Sequence, residues 1–244
     1  MHPSLEALGF VPALAIAYAV ATRPARRELA LAAAALLLIF LAFVTPLQGW
    51  ATHTFLWAHL LQNVVLAEWA PALLVLAVPR NLGARFHVPM LLALPVWVVT
   101  YFVWHLPFIY DAALHHQHSL LHVEHLTYLV AGLALWWPVV HGSESSGTKA
   151  VYLFGAFVLA SPLGLLLGLI PRAIYPFYVH APRTWGPGPL ADQQLAGMTM
   201  ALEEAAVFFA AFAFYLRRFL REEQGDPQLL RARLDDVPRD VVDG

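Results

Sequence analysis

Residues Leu120–Val140 read LLHVEHLTYLVAGLALWWPVV. The segment is long enough for one α-helix to cross a bilayer, which takes about 20 apolar residues. Glu124 is its only Asp, Glu, Lys or Arg. Because the hydrocarbon offers no partners for unpaired backbone groups, a spanning segment of this kind must be helical. The segment therefore predicts a membrane-spanning helix whose His and Glu side chains face protein or a water-filled space.

Six further segments of the chain are similarly apolar: Leu5–Ala21, Leu29–Leu47, Thr54–Val78, Val88–Leu106, Ala150–Ile170 and Leu195–Leu216. Only 12% of the 244 residues are Asp, Glu, Lys or Arg, against roughly 25% in soluble domains. The sequence predicts an all-α, polytopic membrane protein: a seven-helix transmembrane domain over residues 1–220, followed by a partly disordered cytoplasmic tail over residues 221–244. The lipid bilayer is the expected surrounding, and no basic run indicates a nucleic-acid partner.

The basic residues indicate the orientation of the chain. They fall in alternate loops and at the end of the last span: Arg23, Arg26, Arg27, Arg80, Arg85, Lys149, Arg217, Arg218 and Arg221. The opposite loops hold only Arg172 and Arg183. Because cytoplasmic loops are rich in Lys and Arg, we predict an N-terminus outside and a C-terminus in the cytoplasm.

Nine of the twelve histidines fall on the predicted outer side: His53, His59, His105, His115, His116, His118, His122, His125 and His180. Histidine is a common metal ligand and is rare in lipid-facing positions. Taken singly, any of these residues is as readily an interfacial side chain as a ligand. Taken together they predict a metal or haem site, with four candidate ligands placed by spacing and depth: His59, His105, His122 and His125. His53 and His116 are further possible ligands.

The residue types favour one metal. The chain has no cysteine, and Met198 and Met200 lie near the predicted outer end of the last span. Thioether and imidazole ligands suit copper, so the sequence favours copper over zinc. Glu124 lies between two candidate ligands and is predicted to orient a ligand imidazole. Glu68 and Glu203–Glu204 lie inside predicted spans, where they either form a proton or ion path or pair within the bundle.

Four runs of sequence carry a family resemblance: HLLQNVVLAEWAPALLVLAVP from His59, WHLPFIYDAAL from Trp104, LHVEHLTYLVAGLALWWPV from Leu121, and YPFY from Tyr175 followed by PLADQQLAGMTM from Pro189. These runs resemble the CtaG-type assembly factors of caa-type cytochrome c oxidase, over about Thr45 to Leu216. The departures from the family pattern are Glu68 and Glu203–Glu204.

The resemblance implies a multi-pass plasma-membrane protein, not an enzyme, that is needed to form active haem–copper oxidase and that delivers copper. The expected partners are oxidase subunits and an extracytoplasmic copper chaperone. Carried onto this chain, the motif histidines are His59, His105, His122 and His125. The accompanying residues expected to orient imidazoles or stabilise the cation are Asp111, Glu124, Asp192 and Gln193.

Three other functions remain open from the residues alone. A haem-binding redox protein would use two histidines on facing helices. A metal transporter would use Glu68 and Glu203–Glu204 as its intramembrane charges. A zinc hydrolase ranks last, since the sequence has no HExxH motif.

Overall fold

The computed structural model describes residues 24–117 and 119–224. Of these residues 82% are helical, and none lies in a strand. The predicted first span at Leu5–Ala21, the histidine at position 118 and the tail from residue 225 lie outside the described residues. Within the described ranges the all-α prediction is confirmed.

The described ranges contain these helices: α1 (Arg26–Val44), α2 (Pro46–His53), α3 (Leu56–Ala77), α4 (Arg80–Gly83), α5 (Met90–Trp104), α6 (Pro107–His115), α7 (Leu120–His141), α8 (Ser146–Leu169), α9 (Pro176–His180) and α10 (Pro189–Gln224). Helices α1, α3, α7, α8 and α10 are long and apolar enough to cross a membrane. The pair α5 and α6 makes a sixth candidate span, bent by 73°. Helix α10 continues four residues past the predicted domain boundary at 220.

The bend between α5 and α6 follows from proline chemistry. Helix α5 has 15 residues, which rise about 22 Å, less than the roughly 30 Å of a bilayer core. Leu106 is extended, because a residue before proline avoids the helical region. Pro107 then opens α6, a position that suits its fixed φ. The predicted fourth span, which ran to Leu106, is therefore too long, and His105 lies at the bend.

Helix α3 contains a π-helical turn over Val65–Trp69. Pro71 follows this turn and has no N–H to donate to the carbonyl of Ala67. The indole Nε1 of Trp97 on α5 donates to that carbonyl instead, at 3.3 Å. A neighbouring helix thus satisfies the oxygen that the proline leaves without its helical partner.

Small residues set the packing of α8 against α10. A Cβ placed on Gly197 would lie 2.4 Å from the backbone nitrogen of Gly168 and 2.6 Å from the carbonyl oxygen of Gly164. The two backbones therefore meet directly, as small residues four apart allow between membrane helices. Gly164 and Gly168 thus permit the close packing of α8 against α10.

The two ends of the bundle differ in charge. At one end Arg80, His141, Lys149 and Arg218 lie near enough for their charges to act on one another. At the opposite end of the bundle lie the C-terminus of α5 and the N-terminus of α10. This end carries Arg183 and the buried histidines described below. Basic residues that are far apart in the sequence thus gather at a single end.

Candidate metal centre

His59 lies on α3 with none of its side chain exposed. Its Nδ1 is 3.0 Å from the hydroxyl of Tyr178, and that hydroxyl donates its own proton to the carbonyl of Ala51. A carbonyl only accepts, so Nδ1 of His59 must carry the proton and donate to the tyrosine oxygen. This leaves Nε2 as an unprotonated nitrogen with a free lone pair.

His105 at the α5–α6 bend is held in the same tautomer. Its Nδ1 lies 2.7 Å from the backbone carbonyl of Tyr101, which can only accept a hydrogen bond. The hydroxyl of Tyr128 lies 3.2 Å from the same nitrogen. Nε2 of His105 is therefore the unprotonated nitrogen here too. A second residue of the predicted set thus presents a free lone pair.

His125 on α7 completes a group of three imidazoles. Its ring centroid is 6.0 Å from that of His59, with the two rings nearly perpendicular. The Nε2 atoms of His59, His105 and His125 are all buried and have no hydrogen-bond partner among the described residues. Tyr110 lies between the first two, with its ring centroid 4.9 Å from His59 and 5.9 Å from His105. The structure therefore brings together three of the four predicted ligands.

Glu124 faces the free nitrogen of His59 directly. Its Oε1 lies 3.6 Å from Nε2 of His59 and accepts a hydrogen bond of 2.9 Å from Nδ2 of Asn63. Its Oε2 has no hydrogen-bond partner in the described ranges. The sequence placed Glu124 behind a ligand imidazole, whereas the structure places it on the side from which a cation would bind to His59.

Most of the remaining candidate ligands are exposed. His53, His116 and His122 are exposed, and Nδ1 of His53 contacts Thr52 and Gly49. The side chain of Met198 is 48% exposed, while Met200 is buried. His122 and His125, three residues apart on α7, therefore differ in exposure: His122 is exposed, whereas Nε2 of His125 is buried.

Asp192, Gln193 and Asp111 hold backbone segments in place. Asp192 on α10 accepts hydrogen bonds from the backbone N–H groups of Leu56 and Trp57, at 2.9 and 3.0 Å, and pairs with Arg183 at 3.0 Å. Because α3 begins at Leu56, the carboxylate satisfies N–H groups that the helix itself leaves unpaired. Asp192 therefore fixes the start of the helix that carries His59.

Gln193 and Asp111 make comparable links to the segment between α8 and α10. Gln193 accepts from the N–H of Ile174 at 2.8 Å and donates to the carbonyl of Arg172 at 3.0 Å. Asp111 on α6 accepts from the N–H of Phe177 at 3.3 Å. These contacts position the segment that carries Tyr175 and Tyr178.

Tyrosines line this centre, and no sequence pattern indicated their role. Tyr175 donates to the carbonyl of His105 at 3.0 Å, and its ring packs 4.5 Å from that of Tyr110. Burial, reinforced by the charge of Glu124, raises the pKa of the Tyr178 hydroxyl well above its usual value. The hydroxyl therefore stays protonated and keeps His59 in one tautomer.

The role of Asn63 beside Glu124 could have been inferred from the sequence, because Asn63 lies one helical turn beyond His59 as an amide in an apolar run.

The arrangement differs from a closed metal site. Across residues 24–117 and 119–224, no group of three or more His, Asp or Glu side chains has the geometry to hold a metal ion. The centre offers instead the neighbouring imidazoles of His59 and His125, with Glu124 beside the first. The four-histidine ligand set stays a prediction.

The fold and this centre define a polytopic helical membrane protein with buried imidazole, carboxyl and tyrosine side chains near one end of its bundle. The chain matches the family model for the cytochrome c oxidase caa3 assembly factor (Caa3_CtaG) over residues 14–222 and belongs to that family. The predicted resemblance is thereby confirmed. No curated protein and no solved structure matches the chain significantly.

Proposed function

We propose that this chain supplies copper to haem–copper oxidase, receiving the ion at His59 and His125, with His105 next to them. One observation carries the proposal: the Nε2 atoms of three neighbouring imidazoles are buried without a hydrogen-bond partner in the described ranges, and those of His59 and His105 are unprotonated. A buried polar atom without a partner typically costs about 1–3 kcal/mol. A bound cation removes that cost.

Charge and ligand type favour Cu(I) as the cargo. A monovalent ion beside Glu124 would leave the pocket neutral, whereas a divalent ion would bury an unbalanced positive charge. Imidazole and thioether suit copper, and the chain has no thiolate to offer. The buried Met200 is the remaining soft candidate ligand.

The proposed setting is the plasma membrane, crossed by seven helices with the N-terminus outside. The basic end of the bundle would face the cytoplasm, so the histidine centre would lie at the outer face. An extracytoplasmic copper chaperone would deliver the ion there, where the exposed His53 and His116 offer capture points. Oxidase subunits would then receive it.

The test is oxidase maturation in cells that lack the native protein and express a variant. We expect His59→Ala and His125→Ala to lower the copper content and activity of the oxidase several-fold without lowering its haem content, because only copper supply is interrupted. His180→Ala is the matched control, since this imidazole is exposed and bonds only locally to Pro176. The proposal is contradicted if the oxidase has the same copper content in all strains while each variant is present in the membrane in equal amount.

A further inference from the structure

A second buried polar cluster lies deeper in the bundle than the histidine centre. Glu68 comes from the π turn of α3, Glu203 and Glu204 come from α10, and Tyr101 comes from α5. The side chains of Glu68 and Glu204 are fully buried, and that of Glu203 is 8% exposed. We call Glu68, Glu203 and Glu204 the carboxyl cluster.

Hydrogen-bond donors reach two members of the carboxyl cluster but not the third. The hydroxyl of Tyr101 donates to Oε1 of Glu204, and the indole of Trp69 donates to Oε2 of Glu203 at 2.8 Å. Neither oxygen of Glu68 has a hydrogen-bond donor among the described residues. Glu68 is therefore a fully buried, unpartnered carboxyl group that approaches the Glu203–Glu204 pair from a different helix.

The surroundings of Glu68 supply negative charge and no compensating cation. The titratable groups that face it are Glu203 and Glu204, and behind them lies Tyr101. Within the described ranges, no Lys or Arg forms an ion pair with any of the three carboxyls. Carboxylates this close cannot all be ionised in an apolar interior, as paired acids in other proteins illustrate.

Protonation of Glu68 removes one of the three neighbouring negative charges. The protonated acid is a donor, and its nearest acceptor is the carboxylate of Glu203, which also accepts from Trp69. Glu204 already accepts a hydrogen bond from the hydroxyl of Tyr101. A metal ion fits less well, because no group of three acidic or imidazole side chains in the described part of the chain has metal-holding geometry.

We propose that the carboxyl cluster is a proton-binding site inside the bundle, with the exchangeable proton held by Glu68 and shared with Glu203. The carboxyl cluster is separate from the histidine centre. Its proton binding does not depend on whether the protein carries copper. Tyr101 contacts both centres, since its carbonyl accepts from His105 and its hydroxyl donates to Glu204. It thereby gives the proton site a direct structural link to the histidines.

Infrared spectroscopy of the purified full-length protein at neutral pH tests this proposal. We expect a carbonyl stretch of a protonated carboxylic acid that shifts in heavy water and loses intensity in Glu68→Gln. In Glu28→Gln, the matched control, the band should keep its intensity, because Glu28 lies at the start of α1, where it accepts a hydrogen bond from the N–H of Ala25.

A second variant covers the case in which Glu68→Gln does not fold. Glu203→Gln places an amide donor beside Glu68 and removes a like charge, so Glu68 should ionise and the band should weaken. Absence of the band from the wild-type protein, or an undiminished band in whichever variant folds, overturns the proposal. The copper proposal is unaffected by either result.

Discussion

Replacing Asp192 by alanine is expected to lower the free energy of unfolding by roughly 3–5 kcal/mol, the range found when one partner of a buried ion pair is removed. The carboxylate is fully buried, and Arg183 is only 12% exposed. Its loss would also leave the N–H groups of Leu56 and Trp57 without their acceptor. Denaturant titration of the protein in detergent measures this effect.

Asp192→Asn separates capping from charge. The amide oxygen can still accept one backbone N–H, so we expect a smaller loss than for alanine. The matched control is Glu222→Gln, which removes the exposed partner of Arg218 and should leave stability unchanged, as most surface ion pairs contribute little. If Asp192→Ala unfolds at the same denaturant concentration as the control, the carboxylate does not hold the start of α3.

Gly197→Ala is expected to lower the free energy of unfolding by about 3 kcal/mol, the upper end of the usual range for overpacking. The added Cβ would meet backbone atoms of Gly164 and Gly168 at 2.4–2.6 Å. A side chain could rotate away from such a contact, but a backbone cannot. Helices α8 and α10 would therefore have to separate, which thermal unfolding in detergent would register as a lower melting temperature.

Gly155→Ala on α8 provides the matched control. A Cβ there would touch only the side chain of Leu94, at 3.8 Å. Alanine also favours the helix over glycine by up to about 1 kcal/mol, so we expect this variant to be as stable as the wild type or slightly more stable. Equal stability of both glycine variants would contradict direct backbone contact between α8 and α10.

Helix positions followed from the sequence because apolar length alone marks a membrane helix. The six predicted spans within the described residues are helical, and the carbonyl freed by Pro71 accepts a hydrogen bond from a neighbouring helix. The bend at His105 was missed. Its signal was present in the Leu106–Pro107 pair, which ends α5 before a full crossing.

The centre itself was only partly predictable. Spacing predicted that His122 and His125 share one face of α7, whereas the structure leaves His122 exposed. Which side of α7 turns inward depends on how the whole helix packs. The pairing of His59 with Tyr178 joins residues 119 positions apart, beyond the reach of any periodicity. The backbone roles of Asp192 and Gln193 depend on loop positions that the sequence pattern does not encode.

The proposed copper supply depends on His59 and His125 acting as a copper-binding pair. Its most direct test is the amount of Cu(I) retained by the purified protein after removal of loosely bound metal. We predict stoichiometric Cu(I) in the wild type and in His180→Ala, and loss of that copper in the double variant His59→Ala/His125→Ala. Copper retained equally by the folded double variant would contradict copper binding by His59 and His125.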